Sequence, residues 1–284
     1  MFARLRASAP FLLLFISCSF ATISDNFKSY LDEKFGPGVG EAVARTDVGG
    51  GGSYGGGSHK GGTPTERQPV IIVHGITNNA GNFAKIAEHF ISKGYSTEEV
   101  YGTTYGDSGK TNVLFVTMDC SYVKHIRMFI QAVASFTGSK VDVLGFSMGS
   151  PIARKAILGG ACVDTGEQLG PPLTDLVDSF VGVAGANFGS FLCFVPFGSC
   201  NMVNGMNCYS RYLADINART RYEGSHIFTI YSTGDDKVGY QACGRIASAI
   251  NGQDQAFQKS GLNHDGLMYG TAELQYKLVT SHAE

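Results

Sequence analysis

The stretch Val141-Asp142-Val143-Leu144-Gly145-Phe146-Ser147-Met148-Gly149 predicts the fold of this 284-residue chain. It begins with a short apolar run, which is typical of a buried strand. Gly-x-Ser-x-Gly follows at once, and residues 150–158 have helical spacing with Pro151 in the first turn. A strand, a sharp turn and a helix are the context of a nucleophile elbow. Because the chain contains 38 glycines, the pentapeptide alone is a weak signal, and its flanking elements give it weight.

Strand and helix patterns alternate along the rest of the chain. Apolar runs predict further strands at 70–73, 113–116, 176–184 and 227–231. Helical spacing predicts helices at 26–35, 82–93, 122–136 and 272–279, and the stretch 95–105 is expected to lead into a connection. Strands that alternate with helices predict the α/β class, a mostly parallel central sheet with helices on both faces. Sites in such sheets lie beyond the carboxyl ends of the strands.

The N-terminus resembles a secretory signal peptide. Arg4 and Arg6 precede a short apolar run at 11–16, and small residues follow up to Ala21. We expect residues 1–21 to be removed and the protein to be secreted; an uncleaved membrane anchor is the alternative. Residues 22–68 then form an N-terminal segment, and the catalytic domain covers residues 69–284. Within that segment, the Gly-rich stretch 49–62 is interpreted as a flexible linker, with a loop packed on the domain as the alternative.

Secretion determines how the cysteines are interpreted. Six remain after the signal peptide, and an even set predicts up to three disulfides in an oxidising compartment, with the pairing left open. These are Cys120, Cys162, Cys193, Cys200, Cys208 and Cys243. No Cys-x-x-Cys or paired-histidine spacing indicates a metal, and no cofactor is expected. The net charge of −2 makes nucleic acid an improbable partner, and no later segment resembles a transmembrane helix. Oligomeric state is left undetermined.

A serine becomes a useful nucleophile only when a base takes its proton and a carboxylate orients that base. With an elbow, the order along the chain is serine, acid, histidine. Ser147, Asp235 and His264 satisfy this order, and each follows a predicted strand or lies in a late loop. Asp236 is the nearest alternative acid, whereas Asp119 precedes the serine and breaks the order.

His264 is the preferred base because it follows all the predicted strands and precedes the last predicted helix. The other histidines in contention are His59, His89, His125, His226 and His282. His282 is terminal, where chains are often mobile. An oxyanion hole needs two backbone N–H groups, which we assign to Met148 and Ile76, and His74 is expected to be structural.

Five segments together resemble the class 2 lipase family of α/β-hydrolases, in particular its secreted nematode members. They are Val-Ile-Ile-Val-His-Gly-Ile at 70–76, Gly-Phe-Ser-Met-Gly at 145–149, Gly-Ala-Asn-Phe-Gly at 185–189, Ile-Tyr-Ser-Thr-Gly-Asp at 230–235 and Asn-His-Asp-Gly-Leu at 263–267. The resemblance implies an α/β-hydrolase fold that hydrolyses lipid esters, such as triacylglycerols, through Ser147, Asp235 and His264. It also implies Ile76 and Met148 in the oxyanion hole. A short-chain esterase, an acyltransferase or a non-catalytic lipid-binding protein on the same fold is the alternative.

Bacterial relatives of this kind have a minimal fold without a large lid. This chain differs from them by a longer stretch around Phe188 to Tyr209, which contains three of the cysteines. We therefore expect a small disulfide-stapled insert after the strand at 176–184. Its aromatic side chains either form an apolar rim beside the active site, which meets lipid surfaces, or fill a small core of the insert itself.

Overall fold

A seven-stranded sheet runs through the computed structural model, which describes residues 22–284. The strands are β1 (Ser53–Tyr54), β2 (Val70–Val73), β3 (Val100–Thr103), β4 (Val141–Phe146), β5 (Val177–Val183), β6 (His226–Ser232), β7 (Gln241–Ala242), β8 (Arg245–Ile246) and β9 (Gln255–Lys259). The sheet order is β1-β3-β2-β4-β5-β6-β9, and β7 pairs with β8 separately. Only β1 is antiparallel to its neighbour within this sheet. The predicted signal peptide lies outside the described residues.

Helices cover both faces of the sheet. They are α1 (Asp25–Phe35), α2 (Val39–Ala44), α3 (Ala84–Ser92), α4 (Cys120–Thr137), α5 (Gly149–Leu158), α6 (Arg211–Asn217), α7 (His264–Gly270) and α8 (Ala272–Ser281). Apolar residues of α1, α4, α5 and α6 pack in one core cluster, and those of α3, α7 and α8 pack in the other. The predicted α/β class is confirmed, and the elements predicted at both ends of the domain lie within a few residues of their expected bounds.

Alternation along the central strands explains the two cores. Ile71 and Val73 of β2 enter one cluster, whereas Val70 and Ile72 enter the other. Successive side chains of a strand point to opposite faces, so a strand covered on both faces needs apolar residues at every position. This requirement is why the short continuous apolar runs identified the central strands.

Three local predictions were wrong. The run 113–116 is not a strand: Val113–Phe115 form a short 3₁₀ helix with exposed side chains. The stretch 95–105 contains β3. The Gly-rich stretch 49–62 is not a flexible linker, because Ser53 and Tyr54 are buried and form the antiparallel edge strand β1. The Ser53 hydroxyl donates to the carbonyl of Ala44, which ties this stretch to the end of α2.

The six cysteines of residues 22–284 form three disulfides. Cys120 pairs with Cys162, Cys193 with Cys200, and Cys208 with Cys243. The second bridge closes a tight loop inside the insert after β5, and the third ties the far end of the insert to the turn between β7 and β8. The disulfide-stapled insert is therefore confirmed. None of the helices within residues 22–284 has both the length and the apolar character needed to cross a membrane.

Candidate active site

Ser147 lies in the sharp turn between β4 and α5 and has a left-handed backbone conformation, with φ of 54°. A non-glycine residue in this region is strained, and such strain concentrates at functional sites. The neighbouring glycines allow the turn to close. A Cβ atom at Gly149 would lie 2.2 Å from the carbonyl oxygen of His74, and one at Gly145 would lie 2.7 Å from the Cα of Ser150. The strand, turn and helix expected around Ser147 are all present.

Asp235 and His264 form a buried pair. His264 is the first residue of α7, and its Nδ1 lies 2.9 Å from Oδ2 of Asp235, which follows the end of β6. The imidazole therefore donates its Nδ1 proton to the carboxylate, leaving Nε2 as the basic nitrogen. Burial opposes ionisation of Asp235, but hydrogen bonds from His264 and from the amides of Lys237 and Gly239 hold its pKa below the usual value.

Phe146, the residue before Ser147, contacts this pair. The Phe146 ring centroid is 4.8 Å from that of His264, so the imidazole packs against the last residue of β4. Within residues 22–284, the Ser147 hydroxyl makes no hydrogen bond. In the absence of substrate, serine–imidazole contacts of this kind are often long and tighten only in the reactive complex.

The rival acid has a different position. Oδ1 of Asp236 accepts a hydrogen bond from the backbone N–H of His264 at 3.0 Å, whereas the hydrogen bonds of the imidazole Nδ1 go to Asp235. The bond to Asp236 fixes the start of α7 and so helps to orient His264. The sequence analysis missed this contact, although the adjacent aspartates were the available signal.

The remaining histidines do not enter this site. His89 contacts Glu273, and His125 contacts Thr103. His59 contacts the carbonyl of Phe136. His282 is not free at the terminus as expected, because it stacks on His226.

Met148 directly follows Ser147, and a Cβ atom at Gly75, the residue before Ile76, would lie 3.0 Å from the Cβ of Ser147. Within the described residues, the amides of Ile76 and Met148 donate to no other protein group. His74 is buried, and burial lowers its pKa to about 4, so its imidazole is neutral at ordinary pH. Its Nε2 accepts the amide of Tyr105, and its Nδ1 lies 2.8 Å from the carbonyl oxygen of Gly75.

That contact has a consequence for the Gly75–Ile76 peptide. Nε2 accepts a hydrogen bond from the amide of Tyr105 and so carries no proton. The one imidazole proton is therefore on Nδ1, which donates a hydrogen bond to the Gly75 carbonyl. The N–H of Ile76 belongs to the same planar peptide and points opposite to that carbonyl. His74 therefore holds the Ile76 N–H turned away from itself. The structural role expected for His74 is thus to orient the peptide that carries one of the two predicted oxyanion donors.

A cleft of 280 Å³ lies beside Phe146, whose ring packs against His264. Phe83, Phe146 and Met268 contribute apolar surface, and the exposed ion pair between Lys237 and Asp265 lies at its edge. Asp265 directly follows His264 in the chain. Asn78, Asn82 and Tyr269 complete the lining, so the cleft is of mixed character, with polar surface at least as large as the apolar surface.

An exposed apolar surface lies on the insert and the neighbouring 3₁₀ helix. We define this apolar surface as residues 113–115 and 191–197. Phe194 is 82% exposed and Phe197 is 63% exposed, so the aromatic residues do not fill a core of the insert. The Phe197 ring packs edge-on against Phe115, with 5.9 Å between centroids, which joins the two parts. Residues 187–210 contain no charged side chain.

Ser190 and Phe191, where the insert part of the apolar surface begins, contact the loop that carries Asp235. The amide of Phe191 donates to the carbonyl of Val238, and the hydroxyl of Ser190 donates to the carbonyl of Lys237. On its other side, Asp235 accepts the amides of Lys237, Val238 and Gly239. The loop is therefore held between the insert and the Asp235 carboxylate.

Sheet order, elbow and buried acid–histidine pair together define the α/β-hydrolase class. The family model described as lipase (class 2) matches residues 67–277, so the chain belongs to the class 2 lipase family. The family prediction is confirmed, and the nematode branch stays a prediction. The protein is thus a hydrolase of the lipase and esterase type.

Solved structures with the same fold include several lipases. Mature Bacillus licheniformis lipase BlEst2 is 11% identical, with a TM-score of 0.55 over 80% of this chain and 95% of that chain. Paleococcus ferrophilus monoacylglycerol lipase is 15% identical, with a TM-score of 0.53 over 81% and 98%. Aspergillus fumigatus lipase B is 16% identical, with a TM-score of 0.51 over 75% of this chain and 51% of that chain. The present chain thus spans about half of the Aspergillus enzyme, and these similarities concern the fold.

Proposed function

We propose that this protein is a secreted serine hydrolase that cleaves carboxylic esters of lipids, of which triacylglycerols are the representative substrate. The observation that carries the proposal is the buried Asp235–His264 pair beside the strained elbow residue Ser147. A serine is activated by a neutral imidazole whose Nδ1–H donates a hydrogen bond to a carboxylate.

The proposed reaction proceeds through an acyl-enzyme. Nε2 of His264 takes the Ser147 proton while Oγ attacks the ester carbonyl, and the N–H groups of Ile76 and Met148 bind the oxyanion. The imidazolium then returns the proton to the leaving alcohol, and the Ser147 ester forms. Water, deprotonated by the same Nε2, attacks that ester to release the fatty acid and restore the serine.

The apolar surface favours a lipid substrate over a small water-soluble ester. Elsewhere on the described part of the chain, the large exposed apolar residues are Met202 and Tyr209, which also belong to the insert, and Tyr269. Exposed apolar patches mark interaction sites. Because the apolar surface is hydrogen-bonded to the loop that carries Asp235, we propose that it contacts the lipid–water interface beside the active site.

The three disulfides support secretion. Three disulfides accumulate in oxidising compartments and are rare in the cytosol. The basic, apolar and small-residue pattern at 1–21 is consistent with export.

A panel of p-nitrophenyl esters of increasing acyl length tests the proposal. The unaltered protein should hydrolyse the esters, and Ser147→Ala should lower kcat by several orders of magnitude. The small rate that remains would come from substrate binding and oxyanion stabilisation alone. A circular dichroism spectrum unchanged from the parent protein is the folding control. Retained full activity in Ser147→Ala would remove this serine from its role.

A further inference from the structure

A second cluster of chemically active side chains lies at the edge of the sheet where the strands begin. Asp178 is near the start of β5, His226 is the first residue of β6, and His282 follows α8. The proposed active site lies at the opposite edge, after the carboxyl ends of β4 and β6. Since β6 has seven residues, the two sites are about 20 Å apart at ~3.3 Å per residue.

The three side chains present converging ligand atoms. One nitrogen of each histidine and one carboxylate oxygen of Asp178 all lie within 4.8 Å of one another. His282 Nε2 is 3.2 Å from Oδ2 of Asp178, and the two imidazole rings stack with 3.7 Å between centroids. All three residues are partly exposed, so the cluster is open to solutes.

The backbone holds His282 in place. It is the residue after the last turn of α8 and has a left-handed conformation, with φ of 56°. Most residues avoid this region, and glycine or asparagine is more usual after a helix. The contacts with Asp178 and His226 accompany this unfavourable conformation. Lys140 is the nearby competing cation, with Nζ 3.9 Å from Asp178 and 3.1 Å from the hydroxyl of Ser225.

We propose that Asp178, His226 and His282 bind a divalent transition-metal ion of the zinc class. Two imidazoles and one carboxylate suit Zn²⁺, with water completing the coordination. Bonds of about 2.1 Å in a tetrahedral site place ligand atoms about 3.4 Å apart. The stacked rings must splay to reach that spacing, and the 35% exposure of the His282 side chain gives it room to turn. The metal joins the C-terminal end of α8 to the first residues of β5 and β6.

Among the described residues, a second group of potential metal ligands does not support a metal site. Cys120 and Cys162 lie beside Asp164, but both sulfurs are consumed in a disulfide.

Titration calorimetry with Zn²⁺ tests the site on the untagged protein after chelator dialysis. We expect saturable binding of one ion, and a melting temperature that rises with Zn²⁺ by several degrees, because a ligand of the folded state stabilises it. The variants His226→Gln and His282→Asn should each weaken binding at least tenfold and lose the thermal shift. Asparagine is chosen at 282 because it tolerates the left-handed conformation.

His89→Ala is the matched control, because this histidine is also partly exposed and paired with a carboxylate. It should bind Zn²⁺ as the parent does. Co²⁺ gives a second readout: visible bands of a four-coordinate ion should appear in the parent and in His89→Ala, and be absent from His282→Asn. No saturable binding by the parent, or binding by His226→Gln and His282→Asn that equals that of the parent, would overturn the proposal. Ester hydrolysis is measured in parallel, and we expect it to be retained in His282→Asn.

Discussion

At the scale of single residues, the candidate site depends on a few groups whose neighbours fix their orientation. Asp236 fixes the start of α7 while Asp235 accepts the hydrogen bond from the imidazole Nδ1–H, so two adjacent carboxylates have separate roles. Chain order and the elbow pattern led to the prediction of Ser147, Asp235 and His264, of which the structure brings Asp235 and His264 into contact. These two signals were not enough to find the contact of His74 with the Gly75 carbonyl, because it depends on a side chain and a peptide that face each other only after folding.

The His74 contact leads to a prediction about turnover. In His74→Leu the Gly75 carbonyl loses the donor from His74 and keeps the 3.3 Å bond from the amide of Asn78, so the Ile76 N–H is held less firmly toward the developing oxyanion. We expect kcat on a soluble ester to fall by roughly 10- to 100-fold, below the ~10²–10³-fold loss on deleting a donor outright. KM should change little.

The conservative variant His74→Asn keeps an N–H donor and should recover part of the lost kcat. A soluble boronic acid, which forms a tetrahedral adduct with an active serine, should bind His74→Leu more weakly by a similar factor. If KM rises while kcat holds, His74 acts on substrate binding or on packing alone.

At the scale of elements, length and context explain which predictions failed. The run 113–116 has the composition of a strand, but Val113–Phe115 pack as a 3₁₀ helix against residues 198–200 of the insert and leave their side chains exposed. β1 has two residues within a glycine-rich stretch, and no periodicity is detectable over two residues. Its order comes from pairing with β3, a contact about fifty residues away in the chain.

The apolar surface predicts selective loss of activity at interfaces. The double variant Phe194→Ser/Phe197→Ser removes two exposed rings whose burial in lipid stabilises docking by up to about 1.5–3 kcal/mol each. We expect hydrolysis of an emulsified long-chain ester to fall tenfold or more. Hydrolysis of a dissolved short-chain ester should stay within about twofold, as for a surface change away from the chemistry.

The matched control is Phe194→Leu/Phe197→Leu, which keeps the surface apolar and should retain most activity on the emulsion. Because residues 187–210 carry no charge, docking should be insensitive to salt and similar on neutral and anionic vesicles. Equal losses on both kinds of substrate, or on neither, would refute the interfacial role.

At the scale of the whole molecule, a buried ion pair ties the elbow helix to the rest of the fold. Arg154 of α5 lies 2.9 Å from Glu223, and both side chains are fully buried. The same guanidinium donates to the carbonyl of Ile216 and to the side chain of Asn217 at the end of α6. The helix that follows Ser147 is thus anchored to the end of α6 and to the segment that precedes β6.

Breaking this pair should be costly. Glu223→Ala leaves the Arg154 charge buried without its partner, and we expect the free energy of unfolding to fall by about 3–5 kcal/mol. Glu167→Ala removes the partner of Lys124 in a pair whose side chains are each 53% exposed, and it should cost less than about 1 kcal/mol. Urea denaturation of both variants measures the difference, and equal effects would show that burial of the pair is immaterial.

The architecture as a whole was predictable because each central strand is apolar on both faces and each long helix has one apolar face. The edges of the sheet were not, since β1 has only two residues, β9 contains three polar residues, and both acquire their positions from neighbours. The same limit applied to His282, whose place beside Asp178 depends on where α8 ends relative to the sheet.

The most direct test is the rate at which a fluorophosphonate labels Ser147, located by peptide mass spectrometry. The account predicts labelling at Ser147 in the parent protein, a rate slowed about 10³–10⁴-fold in Asp235→Asn, and a rate near that of the parent in Asp236→Asn. Absence of labelling at Ser147, or equal rates in the two asparagine variants, would contradict the claim that Ser147, His264 and Asp235 act as one unit.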